Sequence, residues 1–241
     1  MLGMAHLYKG TPLYYDAMNE CGLAMAALRF PEYAVYHPEE GKESVASFAL
    51  IPRILGSCRS VSEARDLLPT LAVTAAAASD ALRPTPLHWL LSDGRQAIAI
   101  EPLEGGLSVC DAKYGVLTNA PSITRQNENP HLKILEGEEA TGLPGDYSSP
   151  SRFVRMAYLA QKAGEITTPD KCFCLMDGVS VPEGAATGID GRPIFTRYTA
   201  CMDLSGGVYY FTTDTCRTRR EVHLCSSDPE SAELRTVPIT P

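Results

Sequence analysis

The strongest constraint on the fold lies between residues 86 and 119. "PLHWLLS" and "RQAIAIEP" are apolar runs joined by Asp93-Gly94. An Asp-Gly pair tolerates the positive φ angles of a two-residue hairpin turn, whose twist matches that of the flanking strands. The pair therefore predicts two antiparallel neighbours. "EGG" then leads into "LSVCDA", and "GVLTN" follows, so the whole segment reads as an antiparallel meander. A second hairpin is expected where "FTRYTACMDL" and "VYYFTTDTC" flank the turn "SGG", with "REVHL" as a final strand.

Helix signals fall between these strands. "SVSE", residues 60–63, is a capping box. In it a hydroxyl accepts the N–H three residues on, and a carboxylate reaches back. It opens a helix through "ARDLL" that Pro69 stops. "ESVASFALIPRILGSC" reads as another helix, with Pro52 near its start, where a missing N–H is tolerable. Ser148 or Ser149 caps a helix through "RFVRMAYLAQKA", with Pro150 near its first position, and Thr168 caps one at "TTPDKCFCLM". "GLAMAALRF" (22–30) reads as a buried strand, 124–142 as a long surface loop, and 224–241 as a frayed polar tail. Helices thus group between sets of antiparallel strands rather than alternating with them. That order predicts a layered α+β fold, a single domain over 1–241, not a doubly wound parallel sheet.

With 241 residues, 44% of them hydrophobic, the chain is long enough for a substantial core. Its 21 Lys+Arg against 29 Asp+Glu leave a net charge of −8. That disfavours a nucleic-acid or anionic-membrane binder, yet allows a local basic pocket for a small anion. "TLAVTAAAASDAL" is broken by Asp80 and too short to cross a bilayer. The start shows no basic segment followed by an apolar one. No membrane span and a cytoplasmic location are expected. The eight cysteines form no C-x-x-C and no zinc spacing, so no metal is expected, and most should be buried free thiols. Dinucleotide, P-loop, H-E-x-x-H and G-x-S-x-G signatures are absent.

Three residues invite a chemical reading. Asn119 ends the apolar run "GVLTN"; it is either a turn former or a side-chain amide donor suited to an oxyanion hole. Arg152 falls in the first turn of a helix, where a cation opposes the macrodipole by a few tenths of a kcal/mol or so. It is either a surface charge or the partner of an anion or thiolate. His88, between Leu87 and Trp89, reads as a packed histidine with one satisfied nitrogen.

Taken in order, "LYYDAMNECGLAMAAL", "LIPRILGSCRSVSEARDLL", "PLHWLLSDGRQAIAIEP", "YGVLTNAP", "LPGDYSSPSRFVRMAY", "VSVPEG" and "YTACMDLSGGVYYFTT" resemble the successive motifs of the choloylglycine hydrolase family. That family comprises bile salt hydrolases and penicillin V acylases. The resemblance runs from about the start to roughly residue 222, and "TN" and "LPGD…SRF" are its most telling parts. It implies an N-terminal-nucleophile hydrolase, an αββα sandwich of antiparallel sheets between helix layers. It also implies cleavage of a small-molecule linear amide, such as a glycine- or taurine-conjugated bile salt, without a cofactor. The nucleophile would be the thiol of an N-terminal cysteine, with its own α-amino group as base.

Carried over by residue, the resemblance makes Asn119 the oxyanion-hole asparagine and Arg152 the active-site arginine. It places Leu82, in the 74–84 loop, along the substrate cleft, and it suggests a homo-oligomer. Two departures stand out. Arg29 occupies a position where the family has Asn or Tyr in the site wall, so it either meets an anionic substrate group or turns to solvent. The family's segment bearing the nucleophilic cysteine, with an arginine and an aspartate downstream, has no counterpart here. The expectation is a chain without its nucleophile and first strands, inactive as written. The alternative is an inactive fragment or a small-molecule-binding relative.

Overall fold

A computed structural model describes residues 1–137, 141–188, 191–226 and 234–239. Its first element is a hairpin of β1 (Leu2–Tyr8) and β2 (Thr11–Met18). Lys9 and Gly10 turn it with φ of 49° and 83°, the left-handed pair that matches strand twist. β3 (Ala24–Arg29) pairs with β2. Next come β4 (Glu43–Ala46), helices α1 (Leu50–Leu55) and α2 (Val61–Leu67), and β5 (Leu71–Thr74), which lies parallel to β4. β6 (Leu87–Ser92), β7 (Ala97–Leu103) and β8 (Gly106–Asp111) form the expected meander. β6 also pairs with β3, giving one six-stranded antiparallel sheet in the order β1-β2-β3-β6-β7-β8.

Alternation along β3, β6 and β7 sorts the core onto two faces. Met25, Trp89, Leu91 and Ile100 face α1 and α2, which supply Ile51, Ile54 and Val61. Leu28, Leu90 and Ala99 face the other way. There they meet α3 (Ile123–Asn127) through Ile123, and α4 (Ser149–Ala163) through Phe153, Val154 and Ala157. α5 (Pro169–Asp177) follows, then the short pair β9 (Ala186–Thr187) and β10 (Pro193–Ile194). The chain ends in a three-stranded antiparallel sheet of β11 (Tyr198–Asp203), β12 (Val208–Thr213) and β13 (Arg220–His223).

Met4 and Met18 of the first sheet pack on Tyr209 and Phe211 of the second. α5 packs on β11 and on α4. The layers are therefore helix, sheet, sheet, helix, an αββα sandwich. A buried carboxylate joins its two sheets. Asp16 on β2 accepts the Tyr198 hydroxyl at 2.5 Å and the Tyr209 hydroxyl at 2.6 Å. Burial pushes the Asp16 carboxyl above its ordinary range, while the two phenols act in the opposite direction. Hydrogen bonds to a charged group contribute about 1.5–3 kcal/mol each, enough to offset much of the several kcal/mol that burying a carboxylate costs.

Several expectations change. Residues 43–46 of "ESVASFALIPRILGSC" are strand, not helix, because they find a parallel partner in β5. "GVLTN" is not a strand. Val116, Leu117 and Thr118 are buried, but they lie beyond the end of β8 with no ladder partner. The 124–142 stretch is not a plain loop: it holds most of α3 and a 3₁₀ segment, Pro130–Glu136, and 138–140 lie outside the described residues. Cys58 alone among the cysteines is buried, although all eight are free thiols. In the tail, Leu224–Ser226 is a 3₁₀ turn and Arg220 donates to the Pro238 carbonyl at 2.7 Å; 227–233, 240 and 241 lie outside the described residues. No helix among the described residues is long and apolar enough to cross a membrane.

Candidate functional site

Three chain segments converge at one edge of the core. The end of β3 contributes the Arg29 carbonyl, the turn after Thr118 contributes Asn119, and the first turn of α4 contributes Arg152. Asn119 Nδ2 donates to the Arg29 carbonyl at 2.9 Å. Arg152 Nη2 donates to Asn119 Oδ1 at 2.8 Å, and its Nε donates to the Tyr147 carbonyl at 3.2 Å. The amide thus accepts a guanidinium proton on one side and presents its own N–H pair on the other.

The turn carrying Asn119 is held by Gln126 of α3, which is 1% exposed. Gln126 Nε2 donates to the Asn119 carbonyl at 2.7 Å and to the Pro121 carbonyl at 2.6 Å. Its Oε1 accepts the Thr118 N–H at 3.2 Å and lies 3.1 Å from the Thr118 hydroxyl. That hydroxyl also lies 3.0 Å from the Ser149 carbonyl and accepts from the Ser149 hydroxyl at 3.0 Å. Thr118 and Gln126 therefore tie the Asn119 turn to the start of the helix that carries Arg152.

Beneath α3, Glu101 is also 1% exposed. One of its oxygens accepts the Ile123 N–H at 2.9 Å and lies 3.0 Å from His88 Nδ1. Phe30, the residue after Arg29, stacks on the His88 ring at 4.1 Å. His88 Nε2 has no partner, so His88 is the packed histidine with one satisfied nitrogen. Gln126 and Glu101 escape sequence reasoning: one sits in a stretch read as loop, the other on a strand whose turn-facing role no local pattern encodes.

The Pro144-Gly145-Asp146 turn sets the start of α4. Asp146 accepts the Ser148 N–H at 2.8 Å and the Ser151 hydroxyl at 2.7 Å, while Ser148 caps the Ser151 N–H at 3.4 Å. The Ser148 and Ser151 side chains, then the Ser148 N–H, hold the Asp146 carboxyl down at about 2. Arg155 donates to the Pro144 and Asp146 carbonyls at 2.7 and 3.0 Å and to the Gly178 carbonyl at 2.6 Å. The loop is pinned to α4 and to the end of α5.

Arg152 is half-buried, and burial, followed by the nearby charge of Arg155, pushes its guanidinium below the usual value. Among the described residues no carboxylate forms an ion pair with it. A half-buried cation at a helix N-terminus, without a carboxylate beside it, is suited to a bound anion or a thiolate. The Arg29 side chain is exposed; only its main-chain carbonyl enters this network. Leu82 is half-buried in a turn bridged to Ser79 and makes no hydrogen bond with Asn119 or Arg152. No cysteine is bonded to Asn119 or Arg152 among the described residues. Nor do His, Cys, Asp and Glu gather there into a group that could hold a metal.

The model of the linear amide C–N hydrolases, choloylglycine hydrolase family, matches residues 1–237. The chain belongs to the choloylglycine hydrolase family. It is 33% identical to the bile salt hydrolase/transferase of Lactiplantibacillus plantarum, over 99% of this chain and 82% of that protein. It is 31% identical to the conjugated bile acid hydrolase of Lactobacillus acidophilus, over 87% of this chain and 75% of that protein. A crystal structure of a mutant conjugated bile acid hydrolase from Clostridium perfringens superposes with a TM-score of 0.91, at 26% identity, covering 98% of this chain and 80% of that one. Penicillin V acylase from Agrobacterium tumefaciens shares the fold, with a TM-score of 0.73 at 23% identity, over 88% of this chain and 66% of that one. For a choloylglycine hydrolase relative, the Asn119–Arg152 contact joins the two motifs that carry the resemblance most specifically.

Proposed function

We propose that this site cleaves the amide bond of glycine- or taurine-conjugated bile salts. The observation that carries the reading is the Arg152–Asn119 hydrogen bond, 2.8 Å long, between residues 33 apart in sequence. Attack on an amide carbonyl builds negative charge on its oxygen. The Arg29 carbonyl occupies one Asn119 amide hydrogen and fixes the plane of the group; the second is available to that oxygen. An oxyanion donor of this kind contributes about 10²–10³ in kcat. Arg152 orients the amide and supplies the positive charge that favours a neighbouring thiolate.

The thiol and the α-amine that activates it belong, in this reading, to residues outside the 241. Leu82 and the 74–84 loop line the cleft for the steroid, and the Arg29 side chain stands at its rim. The experiment compares two purified proteins, the 241-residue chain and the same chain extended upstream in frame. Both are given glycine- and taurine-conjugated bile salts, and free amino acid is measured. Hydrolysis by the extended protein alone is the expected result. Release by the 241-residue chain itself would overturn the placement of the nucleophile. Inertness of both, with bile salt still bound, would favour a small-molecule-binding relative.

A further inference from the structure

The Asn119 amide rests on two supports, and both lead to the same buried pair of side chains. One support is the Arg29 carbonyl, which accepts from Asn119 Nδ2 at 2.9 Å. That carbonyl shares a peptide unit with the Phe30 N–H, which donates to the Pro86 carbonyl at 2.8 Å. The fully buried Phe30 ring lies on the His88 ring, 4.1 Å between centroids and 7° from parallel. The other support is Gln126, which holds the Asn119 and Pro121 carbonyls from α3. α3 is five residues long, and Ser122 before it makes no side-chain cap. Its first N–H, on Ile123, is satisfied instead from the strand beneath, by Glu101 at 2.9 Å. The same Glu101 oxygen lies 3.0 Å from His88 Nδ1. His88 Nε2 meets no partner, so the ring proton is assigned to Nδ1. On Nε2 it would be a buried donor without an acceptor.

We propose that His88 and Glu101 are positioning residues that hold the two supports of the Asn119 amide in register with each other, an inference that rests on the amide-hydrolase function proposed above. One oxygen that accepts both the Ile123 N–H and the His88 Nδ1–H fixes α3 against β6. It thereby fixes the Gln126-held main chain of Asn119 against the Arg29 carbonyl that receives its side chain. The main chain and side chain of one residue are located by two routes that meet in one atom. Packing alone does not call for this pair. By strand alternation His88 shares its face with Leu90, and Glu101 shares its face with Ala99. Leu90 and Ala99 belong to an apolar cluster with Leu28 and Phe153. Apolar residues of similar volume often replace a buried polar pair without loss of stability, whereas the pair adds a defined geometry. An oxyanion donor depends on such geometry, since a displacement of about 1 Å can cost about 10²-fold in rate. Both residues act through Asn119.

The test sets two variants against each other. E101Q keeps the oxygen acceptor. H88F/E101L replaces the whole pair by apolar side chains and leaves no unpaired carboxyl in the core. In the 241-residue chain, NMR of the Asn119 side-chain amide protons, identified by their loss in N119D, reports the position of that amide directly. In H88F/E101L these signals should shift, and the proton bonded to the Arg29 carbonyl should exchange about tenfold faster or more, while the β12 backbone amides keep their protection. In the extended protein, kcat for glycine release should fall about tenfold to 10²-fold with KM within about twofold, at temperatures where urea unfolding shows the variant fully folded. E101Q should keep the native Asn119 signals and hold kcat within about threefold. A merely structural pair would move the unfolding midpoint and leave both the Asn119 signals and the kcat of the folded protein in place. That result overturns the inference, as does an E101Q as impaired as the double variant. Should H88F/E101L fail to fold, H88F alone, which keeps the stacked ring and removes the Nδ1 donor, is judged by the same two readouts. If the extended protein hydrolyses no conjugated bile salt, that failure belongs to the proposed substrate, and the Asn119 signals still decide whether the pair positions the amide.

Discussion

Arg152 reaches Asn119 from the first turn of α4, its Nη2 2.8 Å from the amide oxygen, while its Nε holds the Tyr147 carbonyl. Those two donors come from one planar group and fix the amide's orientation. Lysine keeps the charge but cannot satisfy both acceptors with a rigid fork. In the protein extended to carry its nucleophile, Arg152→Lys should lower kcat about tenfold or more with little change in KM. Asn119→Ala, which removes the oxyanion donor, should lower it about 10²–10³-fold. Steady-state release of glycine from a conjugated bile salt checks both.

Gln126 satisfies groups from three residues of the Asn119 turn while itself lying 1% exposed. Gln126→Leu conserves much of the volume but strands buried carbonyls and an N–H, at about 1–3 kcal/mol for each group left unpaired. Urea unfolding should show that loss. In the extended protein, kcat should fall even at temperatures where the variant is fully folded, because the Asn119 main chain is no longer held.

What the sequence disclosed was local. Ser60 accepts the Glu63 N–H at 3.3 Å, Ser148 and Thr168 cap their helices, and Asp93 accepts two N–H groups of its own turn. Each depends on residues a few positions apart. The β1–β2 hairpin went unread because its turn is Lys9-Gly10, a weaker pattern than Asp-Gly, and because Pro12 argues against a strand. Residues 43–46 and "GVLTN" have similar apolar content. Only the first finds a ladder partner, and that partner lies 28 residues away at β5. The site divides in the same way. Asn119 and Arg152 stand out through motif, whereas Gln126 and Glu101 matter through what the fold brings to them. Arg29 looks like a departure in side chain, yet its hydrogen bond to Asn119 uses a carbonyl that any residue would supply.

Asp16 is the one acceptor shared by Tyr198 and Tyr209 across the two sheets. Removing either phenol leaves a buried carboxylate with half its donors. Tyr209→Phe and Tyr198→Phe should each cost about 1.5–3 kcal/mol, as bonds to a charged group do. The double variant should differ from the sum of the two, since both act through one carboxylate. Urea midpoints with unchanged m-values would show that only stability moved.

Asp146 gives the fold a pH dependence of definite sign. Its carboxyl sits at about 2 in the folded protein, against about 3.9 in an unfolded chain. A carboxyl depressed by folding adds stability that is complete above the unfolded value and disappears as pH falls through the folded one. The window therefore runs from about pH 4 down to about pH 2. The group is almost fully solvated, so screening keeps the contribution small. Asp146→Asn should be less stable than the unsubstituted chain at pH 6, and the two unfolding curves should converge as pH approaches 2. Ser151→Ala removes one of the hydroxyl donors and should move the Asp146 midpoint upward in an NMR titration of its side-chain carboxyl. A midpoint that stays in place would show that the depression does not come from this cap.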